Sequence, residues 1–471
     1  MLKLRSIALA LLIAFPVQAV DLPDLGEVSR VALTEANEQR VGREIMLQIR
    51  EEGVYLDDPV LVDYLNALGE RLAAASPEPG RRFEFFAVRD STINAFALPG
   101  GYVGVHTGLI SAARNESELA SVLAHEIAHV TQHHIARIVD AQKSSGLASL
   151  VALAIAILAA RSNPDAAQAA IVGAQAISIQ NQLDFTREHE READRVGLQT
   201  LSSAGFSAQG MGTFFERLQA QGRLYENNAP AYLRTHPLTF ERIADIQNRL
   251  ASLPYRQFAD SLEFALVRAR VQAAMGEAKD AMREFEVRIR EQPSAAAWYG
   301  LAQASLRVRN LDLAKQSLDK AINLSAPSPL FDLARMELAL AGGQVDEAIK
   351  IGAVAQVMHG AYRPLAYLHA QALLRANQPQ AALSFLRERQ HIWSSDSALF
   401  ALQSQAHQAL GQPAQSYLAQ AEAYVLEDRT SAAIEQLLMA QKAGKTDFYT
   451  LSIIDARLRN LREQQQKESL H

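Results

Sequence analysis

The sequence predicts two parts: an α+β domain, mostly helical with a small sheet, followed by an all-α solenoid. In the first part, short runs of aromatic and β-branched residues lie between amphipathic helical segments. From about residue 260 the chain is rich in Ala, Leu and Gln, and small residues recur there about every 34 positions. A chain of 471 residues is also longer than one compact domain of usual size.

The first part reads as helices around three short strands. Segments 35–52 and 59–75 have the apolar spacing of amphipathic helices. Pro99-Gly100-Gly101 is strong turn chemistry. Strands are predicted at 83–88, 94–98 and Tyr102–His106, on either side of that turn and before it.

A helix is predicted to begin after Asn115, which has the character of an N-cap, and to continue to Val139. It contains His125-Glu126-Ile127-Ala128-His129, an H-E-x-x-H motif. Side chains four residues apart share a helix face, so both imidazoles can reach a single metal ion. The carboxylate of Glu126 can then take a proton from a water molecule at that ion.

Two imidazoles need a third ligand. The variant of the motif with a third His requires Gly and His where this chain has Thr131 and Ile135, so that variant is excluded. Three imidazoles at steps of four on a straight helix cannot converge on one tetrahedral ion. His133, on the same helical face, and its neighbour His134 are therefore expected at the surface or behind the ligands.

The other source of a ligand is the acidic segment Glu188-His189-Glu190-Arg191-Glu192-Ala193-Asp194. Glu190 and Asp194 are four apart on one face, and the small Ala193 allows a close helix approach. We predict that Glu190 binds the metal and that Asp194 accepts the second N–H of a ligating His. Without cysteine in the chain, the expected cofactor is one Zn²⁺ held by His and carboxylate.

The second part contains a repeat. A spacing near 34 with small residues at helix crossings is typical of a tetratricopeptide array, the alternative being chance spacing in an Ala-rich segment. After Ala382 the register is expected to weaken, with Ala421 and Ala433 offset by half a repeat. The recurring residues are Ala281, Ala314, Ala348 and Ala382. Twelve residues before each of them stand Ala269, Ala302, Met336 and Ala370.

Residues 1–19 resemble a secretory signal, with Lys3 and Arg5 before an apolar stretch and Val17-Gln18-Ala19 as the cleavage site. An uncleaved anchor is the alternative. We expect a zinc-binding domain at 20–253, a junction near Leu253-Pro254-Tyr255 and a repeat domain at 258–463. The absence of cysteine fits export to a periplasm without disulfides.

The net charge of −6 without a basic tract excludes a nucleic-acid-binding role. The apolar segment 146–160 is too short to span a bilayer as a helix. Either a buried helical hairpin or a lid that touches membrane or unfolded substrate fits that segment.

These motifs together resemble a known family. H-E-x-x-H followed about sixty residues later by E-x-x-A-D is the signature of the metallopeptidases that include the CAAX prenyl endopeptidases, HtpX and the mitochondrial Oma-type enzymes. With the leader, Thr235-His236-Pro237 and the repeats, the chain is similar to the periplasmic β-barrel assembly-enhancing protease group. The fold class implied is an α+β zincin-like metallopeptidase domain followed by an all-α tetratricopeptide solenoid.

The resemblance assigns roles to particular residues. It implies that His125, His129 and Glu190 are the zinc ligands and that Glu126 is the general base. It also places an edge strand for the substrate, which would bind an extended peptide through main-chain hydrogen bonds. Its residues are Asn94, Ala95, Phe96 and Ala97.

The resemblance also draws attention to His236, which is expected near the metal. It would either donate to the oxyanion of the tetrahedral intermediate or occupy the fourth zinc position and hold the enzyme inactive. Arg234 and Arg242 are weaker candidates for the oxyanion role.

The implied function is that of a periplasmic zinc endopeptidase in outer-membrane protein quality control, degrading misfolded or stalled β-barrel proteins and assisting their assembly. Expected partners are such clients and the barrel-assembly machinery, with peripheral membrane contact left open. The alternative is a chaperone or assembly factor that binds clients through its repeats and restrains its proteolysis. A purely structural zinc site is disfavoured, because such sites have four protein ligands and Glu126 would have no task.

Overall fold

The computed structural model describes residues 34–141, 179–224, 231–253, 258–444 and 446–469. The predicted leader, the apolar segment 146–160 and most of the expected junction lie outside these residues. Among the residues that the structure describes, no helix combines the length and apolar content needed to cross a bilayer.

Two helices open the described chain. Helix α1 (Glu35–Glu51) begins after Thr34, whose side chain accepts from the backbone N–H of Asn37. Helix α2 (Pro59–Ala74) has Asp58 as its N-cap and Pro in its first turn, where proline's missing N–H costs nothing. Each buries one apolar stripe against the sheet.

The sheet has three strands in the order β1-β3-β2. Strand β1 (Glu84–Val88) pairs with β3 in parallel, and β2 pairs with β3 in antiparallel orientation. The β2–β3 link is a single 3₁₀ turn in which Gly100 and Gly101 have φ of 81° and 83°, a region that glycine adopts without strain. The other strands are β2 (Ala95–Ala97) and β3 (Tyr102–His106).

The H-E-x-x-H motif lies on helix α4 (Glu116–Thr131), which follows the short helix α3 (Thr107–Ala112). Asn115 caps α4 as predicted by accepting from Glu118 N at 2.9 Å. The predicted continuation to Val139 is wrong. His133 has φ of 52°, so the chain turns and a separate helix α5 (His134–Ala141) begins.

A second helical layer covers α4. Helix α6 (Ile179–Ser203) packs along α4, and the close approach depends on Gly197, where an added Cβ would lie 3.1 Å from the Cα of His125. Ala193 is fully buried in the same contact. The helices of this layer are α6 (Ile179–Ser203), α7 (Gln209–Leu224), α8 (Ala231–Thr235) and α9 (Phe240–Ser252).

From residue 261 onward the described chain forms antiparallel helix pairs, and the recurring small residues are buried where the two helices of each pair meet. The helices are α10 (Leu262–Ala274), α11 (Ala278–Glu291), α12 (Ala295–Arg307), α13 (Leu311–Asn323), α14 (Pro329–Ala341), α15 (Val345–Met358), α16 (Arg363–Arg375), α17 (Pro379–Gln390), α18 (Ser397–Ala409), α19 (Pro413–Leu426), α20 (Thr430–Lys442) and α21 (Phe448–Ser469). The predicted fold class, an α+β domain followed by a helical solenoid, is confirmed.

The expected loss of register after Ala382 is wrong. Ser404 and Ser416 stand 34 residues after Ala370 and Ala382. Both are buried, and their Oγ atoms lie 3.1 Å apart across α18 and α19. Serine is nearly as small as alanine, so the close crossing persists although the alanine pattern does not.

The solenoid contacts the first domain along its length. Leu109 of α3 and Val267 of α10 belong to one continuous apolar core. Ser261 donates through its backbone N–H (3.1 Å) and its hydroxyl (2.8 Å) to the carboxylate of Glu116, at the start of α4.

Two ion pairs mark later contacts between the parts. Arg363 of α16 bonds Asp63 of α2. Arg43 of α1 lies 3.7 Å from Asp428, in the turn between α19 and α20. The array therefore touches the first domain near its beginning, its middle and its end.

Candidate metal centre and active site

Three helical elements bring the predicted site residues together. His125, Glu126 and His129 come from α4, Glu190 comes from α6, and His236 directly follows α8. The backbone N–H of His236 donates to Tyr232 O at 2.8 Å, and the two rings stack with centroids 4.7 Å apart.

The ligand atoms of His125, His129, Glu190 and His236 all lie within 4.8 Å of one another. His125 Nε2 is 3.0 Å from His129 Nε2, and His129 Nε2 is 3.3 Å from Glu190 Oε1. His236 Nδ1 is 3.0 Å from the same carboxylate oxygen. All but His129 are buried, so this cluster is a largely buried group of converging nitrogen and oxygen atoms.

The cluster fits a metal ion. Imidazole nitrogen with a carboxylate oxygen is the donor set that zinc takes in catalytic sites. Burial alone would raise the pKa of Glu190, but His236 and hydrogen bonds from His125 and His129 hold it well below its ordinary value. Glu190 is therefore an ionised carboxylate facing three imidazole nitrogens. The chemistry of this group matches the three ligands that the sequence predicts, with His236 as a fourth donor.

Asp194, which the sequence predicts to accept the second N–H of a ligating histidine, lies behind His125. His125 Nδ1 lies 3.1 Å from Asp194 Oδ1. Burial alone would lower the pKa of His125, but its hydrogen bonds to Asp194 and Glu190 raise it to about 10. Asp194 in turn has a lowered pKa, because Arg242 outweighs the opposing effect of burial.

Arg242, considered above as a candidate for the oxyanion role, lies behind the site carboxylates instead. Its side chain is 1% exposed and forms two hydrogen bonds to Asp194, of 2.6 and 2.7 Å. A third nitrogen lies 2.9 Å from Glu190 Oε2 and donates to Pro237 O at 2.7 Å. The guanidinium thus neutralises two site carboxylates rather than facing a substrate oxyanion. The side chain of Arg234 lies outside the described residues.

Behind His129 stands His134. The two Nδ1 atoms are 2.8 Å apart, and His134 Nε2 lies 3.1 Å from Glu192 Oε2. Burial and the neighbouring His129 hold the pKa of His134 well below its ordinary value. His189, one residue before Glu190, stacks on the His134 ring with centroids 4.2 Å apart.

Glu126 is buried beside the ligand cluster. Its Oε1 lies 3.5 Å from His236 Nε2, on the side of that ring opposite the nitrogen that faces Glu190. His236 therefore presents one nitrogen to the metal-binding atoms and the other to the predicted general base. This position is compatible with both roles considered for His236, although Nδ1 itself lies among the ligand atoms.

The predicted substrate strand lies next to α4, at the edge of the sheet. Asn94 O accepts from His106 N at 3.1 Å, and Leu98 N donates to Tyr102 O at 2.7 Å. In an antiparallel ladder, hydrogen-bonded pairs alternate with pairs whose N–H and C=O groups point away from the partner strand. Asn94, Phe96 and Leu98 are in the first kind of pair, and Ala95 and Ala97 are in the second. The main-chain groups of Ala95 and Ala97 therefore face outward, while Asn94 lies just before β2.

Sequence reasoning missed two contributors, the contacts of Arg242 with two site carboxylates and the Tyr232 ring that stacks on His236, and it left open whether His134 lies at the surface or behind the ligands. The position of Arg242 shortly after Thr235-His236-Pro237 is the sequence signal that could have indicated its contact with the site. The position of Tyr232 depends on a tertiary contact and that of His134 on the helix break at His133, and side-chain spacing indicates neither.

A largely buried cluster of three imidazoles and a carboxylate, with a glutamate beside it on an H-E-x-x-H helix, defines a metallopeptidase-type site. Nearby lies a sheet edge that no other strand of the described residues covers. Residues 61–250 match the family model described as Peptidase family M48. The chain is also 34% identical over 462 residues to the β-barrel assembly-enhancing protease of Escherichia coli K12, covering 96% of this chain and 94% of the relative.

Two further relatives agree with this match. The β-barrel assembly-enhancing protease of Yersinia pestis is 32% identical over 448 residues, covering 94% of this chain and 91% of the relative. The mitochondrial metalloendopeptidase OMA1 of Schizosaccharomyces pombe is 32% identical over 189 residues, 40% of this chain and 52% of that one. The chain belongs to Peptidase family M48, in the group of β-barrel assembly-enhancing proteases. It is a metal-dependent endopeptidase, which confirms the resemblance drawn from its motifs.

Proposed function

We propose that this chain is a periplasmic zinc endopeptidase that acts on outer-membrane β-barrel proteins during their assembly and degrades those that stall or misfold. The observation that carries the proposal is the convergence of His125 Nε2, His129 Nε2 and Glu190 Oε1 beside Glu126. The names of the full-length relatives support the class of client.

The proposed ligands are His125, His129 and Glu190, with one zinc ion per chain. When bound, zinc supplies a Lewis acid that polarises the scissile carbonyl and lowers the pKa of water at the site. Glu126 takes the proton of the attacking water and delivers it to the leaving amine. Asp194 contacts His125, and Arg242 contacts Glu190, so these two residues hold the proposed ligands in place.

The substrate is proposed to bind in extended form along the edge formed by Asn94, Ala95, Phe96 and Ala97. The outward N–H and C=O groups of Ala95 and Ala97 are the hydrogen-bonding groups that a peptide strand requires. The helical array supplies a further surface for clients or for the barrel-assembly machinery, as repeat solenoids commonly do.

A second candidate function is favoured by His236. With Nδ1 of His236 as a fourth protein ligand, no coordination position would be left for water, and proteolysis would be restrained. In that state the chain would act chiefly as an assembly factor that binds clients through its repeats. The two functions differ in whether Glu126 is needed.

The deciding experiment compares wild type with Glu126→Gln in zinc content, casein cleavage and rescue of outer-membrane assembly in a deletion strain. We expect Glu126→Gln to bind one zinc, to lose cleavage and to fail to rescue. Full rescue by Glu126→Gln would make the protease activity secondary. A wild-type protein without bound metal would refute the zinc site. Glu188→Gln, an exposed position on the same helix as Glu190, is the matched control and should behave as wild type.

A further inference from the structure

The two imidazoles of the H-E-x-x-H motif have different partners behind them. His125 Nδ1 faces the carboxylate of Asp194 at 3.1 Å. His129 Nδ1 instead faces a third imidazole, that of His134, at 2.8 Å. Ligating histidines usually pass their second N–H to a carboxylate, a carbonyl or water. The partner of His129 is thus unusual.

The positions of the nitrogens fix which of them carry protons. His129 Nε2 lies among the ligand atoms and must keep its lone pair to bind a metal. Its Nδ1 therefore carries the hydrogen, and His134 Nδ1 must accept it. A neutral His134 then has its own proton on Nε2, which donates to Glu192 Oε2 at 3.1 Å. In this series of hydrogen bonds, from His129 to His134 to Glu192, each donor meets one acceptor.

The helix break at His133 makes this contact possible. On a continuous helix, a residue five positions after His129 would face away from it. Because His133 takes a left-handed conformation, α5 begins at His134 and turns this ring back beneath His129. At the break, His133 Nε2 lies 3.1 Å from Glu78 Oε1.

Contacts from α5 and α6 hold the far end of the series. The His189 ring lies nearly parallel to the His134 ring, at an interplanar angle of 8°. Arg137 donates to Glu192 Oε2 at 2.7 Å, so the acceptor of His134 is itself oriented. His134 is 2% exposed, whereas Glu192 is 38% exposed. The series therefore joins a buried ligand to a carboxylate at the surface.

We propose that His134 is a positioning residue for the metal centre: it accepts the Nδ1–H of His129 and, held by Glu192, fixes the tautomer and ring orientation that offer His129 Nε2 to the metal. This inference rests on the proposed zinc site. It assigns to His134 and Glu192 the task that Asp194 performs for His125.

The test measures the zinc dissociation constant of the full chain by competition with a chelator. His134→Phe keeps a ring against His189 but removes the acceptor, and it should weaken zinc binding by about 10- to 100-fold, as lost partners of metal ligands do. His134→Asn places an amide oxygen where Nδ1 stood and should bind within about threefold of wild type. Glu188→Gln, at an exposed position on α6, is the control and should be unchanged.

A second readout reports the tautomer directly. In the zinc-bound protein labelled with ¹⁵N at histidine, NMR should show His129 protonated at Nδ1 and His134 at Nε2. Glu192→Ala changes a partly exposed side chain and does not endanger folding. It should weaken zinc binding several-fold and alter the His134 signals, which keeps the proposal testable if His134→Phe does not fold.

The outcomes separate the two proposals. If wild type binds no zinc, the proposed function fails. If wild type binds zinc and His134→Phe binds it equally well, or if His134→Asn binds as weakly as His134→Phe, only the role of His134 is refuted. If Glu192→Ala leaves both the zinc dissociation constant and the histidine NMR signals unchanged, the proposed role of Glu192 and His134 is likewise refuted.

Discussion

Arg242 and Asp194 form a buried two-point ion pair, with hydrogen bonds of 2.6 and 2.7 Å, between helices α9 and α6. The pair lies directly behind His125, because Asp194 Oδ1 also contacts the Nδ1 atom of that ligand. Arg242 further contacts Glu190. One guanidinium thus stabilises two carboxylates of the proposed metal centre.

Removing that guanidinium should be costly. Arg242→Gln leaves two buried carboxylates without their cation, so we expect a loss of about 3–5 kcal/mol in the free energy of unfolding, measured by urea denaturation. The control is Arg195→Gln, which breaks an exposed ion pair with Asp245 between the same two helices. That change should cost less than about 1 kcal/mol. Equal losses in the two variants would contradict the role assigned to Arg242.

His236→Ala tests whether this side chain restrains the enzyme. Because its Nδ1 atom lies among the ligand atoms, we expect the variant to keep one zinc and to cleave casein several-fold faster than wild type. Zinc content and initial rates at saturating casein are the measurements. An inactive variant with full zinc content would instead indicate that His236 supports the transition state.

Metal removal should lower the stability of the first domain. A ligand that binds only the folded state stabilises it by about 4 kcal/mol at a free concentration 1,000 times its dissociation constant. We therefore expect a chelator to lower the Tm of wild type and of Glu188→Gln, and zinc to restore it. Glu190→Gln lacks a proposed ligand and should show a much smaller zinc-dependent shift. A full shift in Glu190→Gln would remove that residue from the ligand set.

Ala97→Pro tests the proposed substrate edge. The N–H of Ala97 faces away from β3, so proline removes an outward donor without breaking the ladder to β3. Loss of one hydrogen bond predicts a fall of about 3- to 10-fold in kcat/KM for an extended peptide. Ala97→Val retains the N–H and is the control. A Tm close to that of wild type is needed in both variants, and an unchanged kcat/KM in Ala97→Pro would show that the substrate does not pair there.

The serine pair of the fifth helix pair gives a test of the repeat. Ser404→Ala or Ser416→Ala alone leaves one buried hydroxyl without its partner and should destabilise by about 1 kcal/mol. The double alanine variant restores the pattern of the earlier repeats, in which Ala370 and Ala382 hold these positions. We expect it to be less destabilised than the sum of the single variants, measured by urea denaturation. Simple additivity would show that the two hydroxyls do not interact.

Much of the site is predictable from the sequence because it depends on helical spacing. Residues four apart on α4 and on α6 share a face, so the spacing alone places His125 beside His129 and Glu190 near Asp194, as they lie in the structure. The strands around Pro99-Gly100-Gly101 are also predicted to within a residue or so at their ends, because turn chemistry delimits them.

The features that sequence reasoning missed depend on the backbone or on tertiary contacts. A left-handed conformation at a histidine leaves no mark in apolar periodicity, so the predicted end of α4 is too late. For the same reason the sequence could not decide between a surface position for His134 and one behind the ligands. Ser404 and Ser416 stand in the alanine positions of the earlier repeats with little change in volume, so the spacing of alanines alone does not indicate the repeat there. The clamp by Arg242 depends on the packing of α9 against α6, which the sequence pattern does not indicate.

The attachment of the solenoid has a mechanical consequence. The backbone N–H of Glu116, the first residue of the helix that carries His125 and Glu126, donates to Asp260 at 2.7 Å, and its carboxylate accepts from Ser261. The same array is joined to α2 through Arg363 and reaches α1 through Asp428. A bound client that bends the solenoid would therefore exert force on the first turn of α4, the helix that carries His125 and Glu126. The contacts made by Arg363 and Asp428 would oppose that movement.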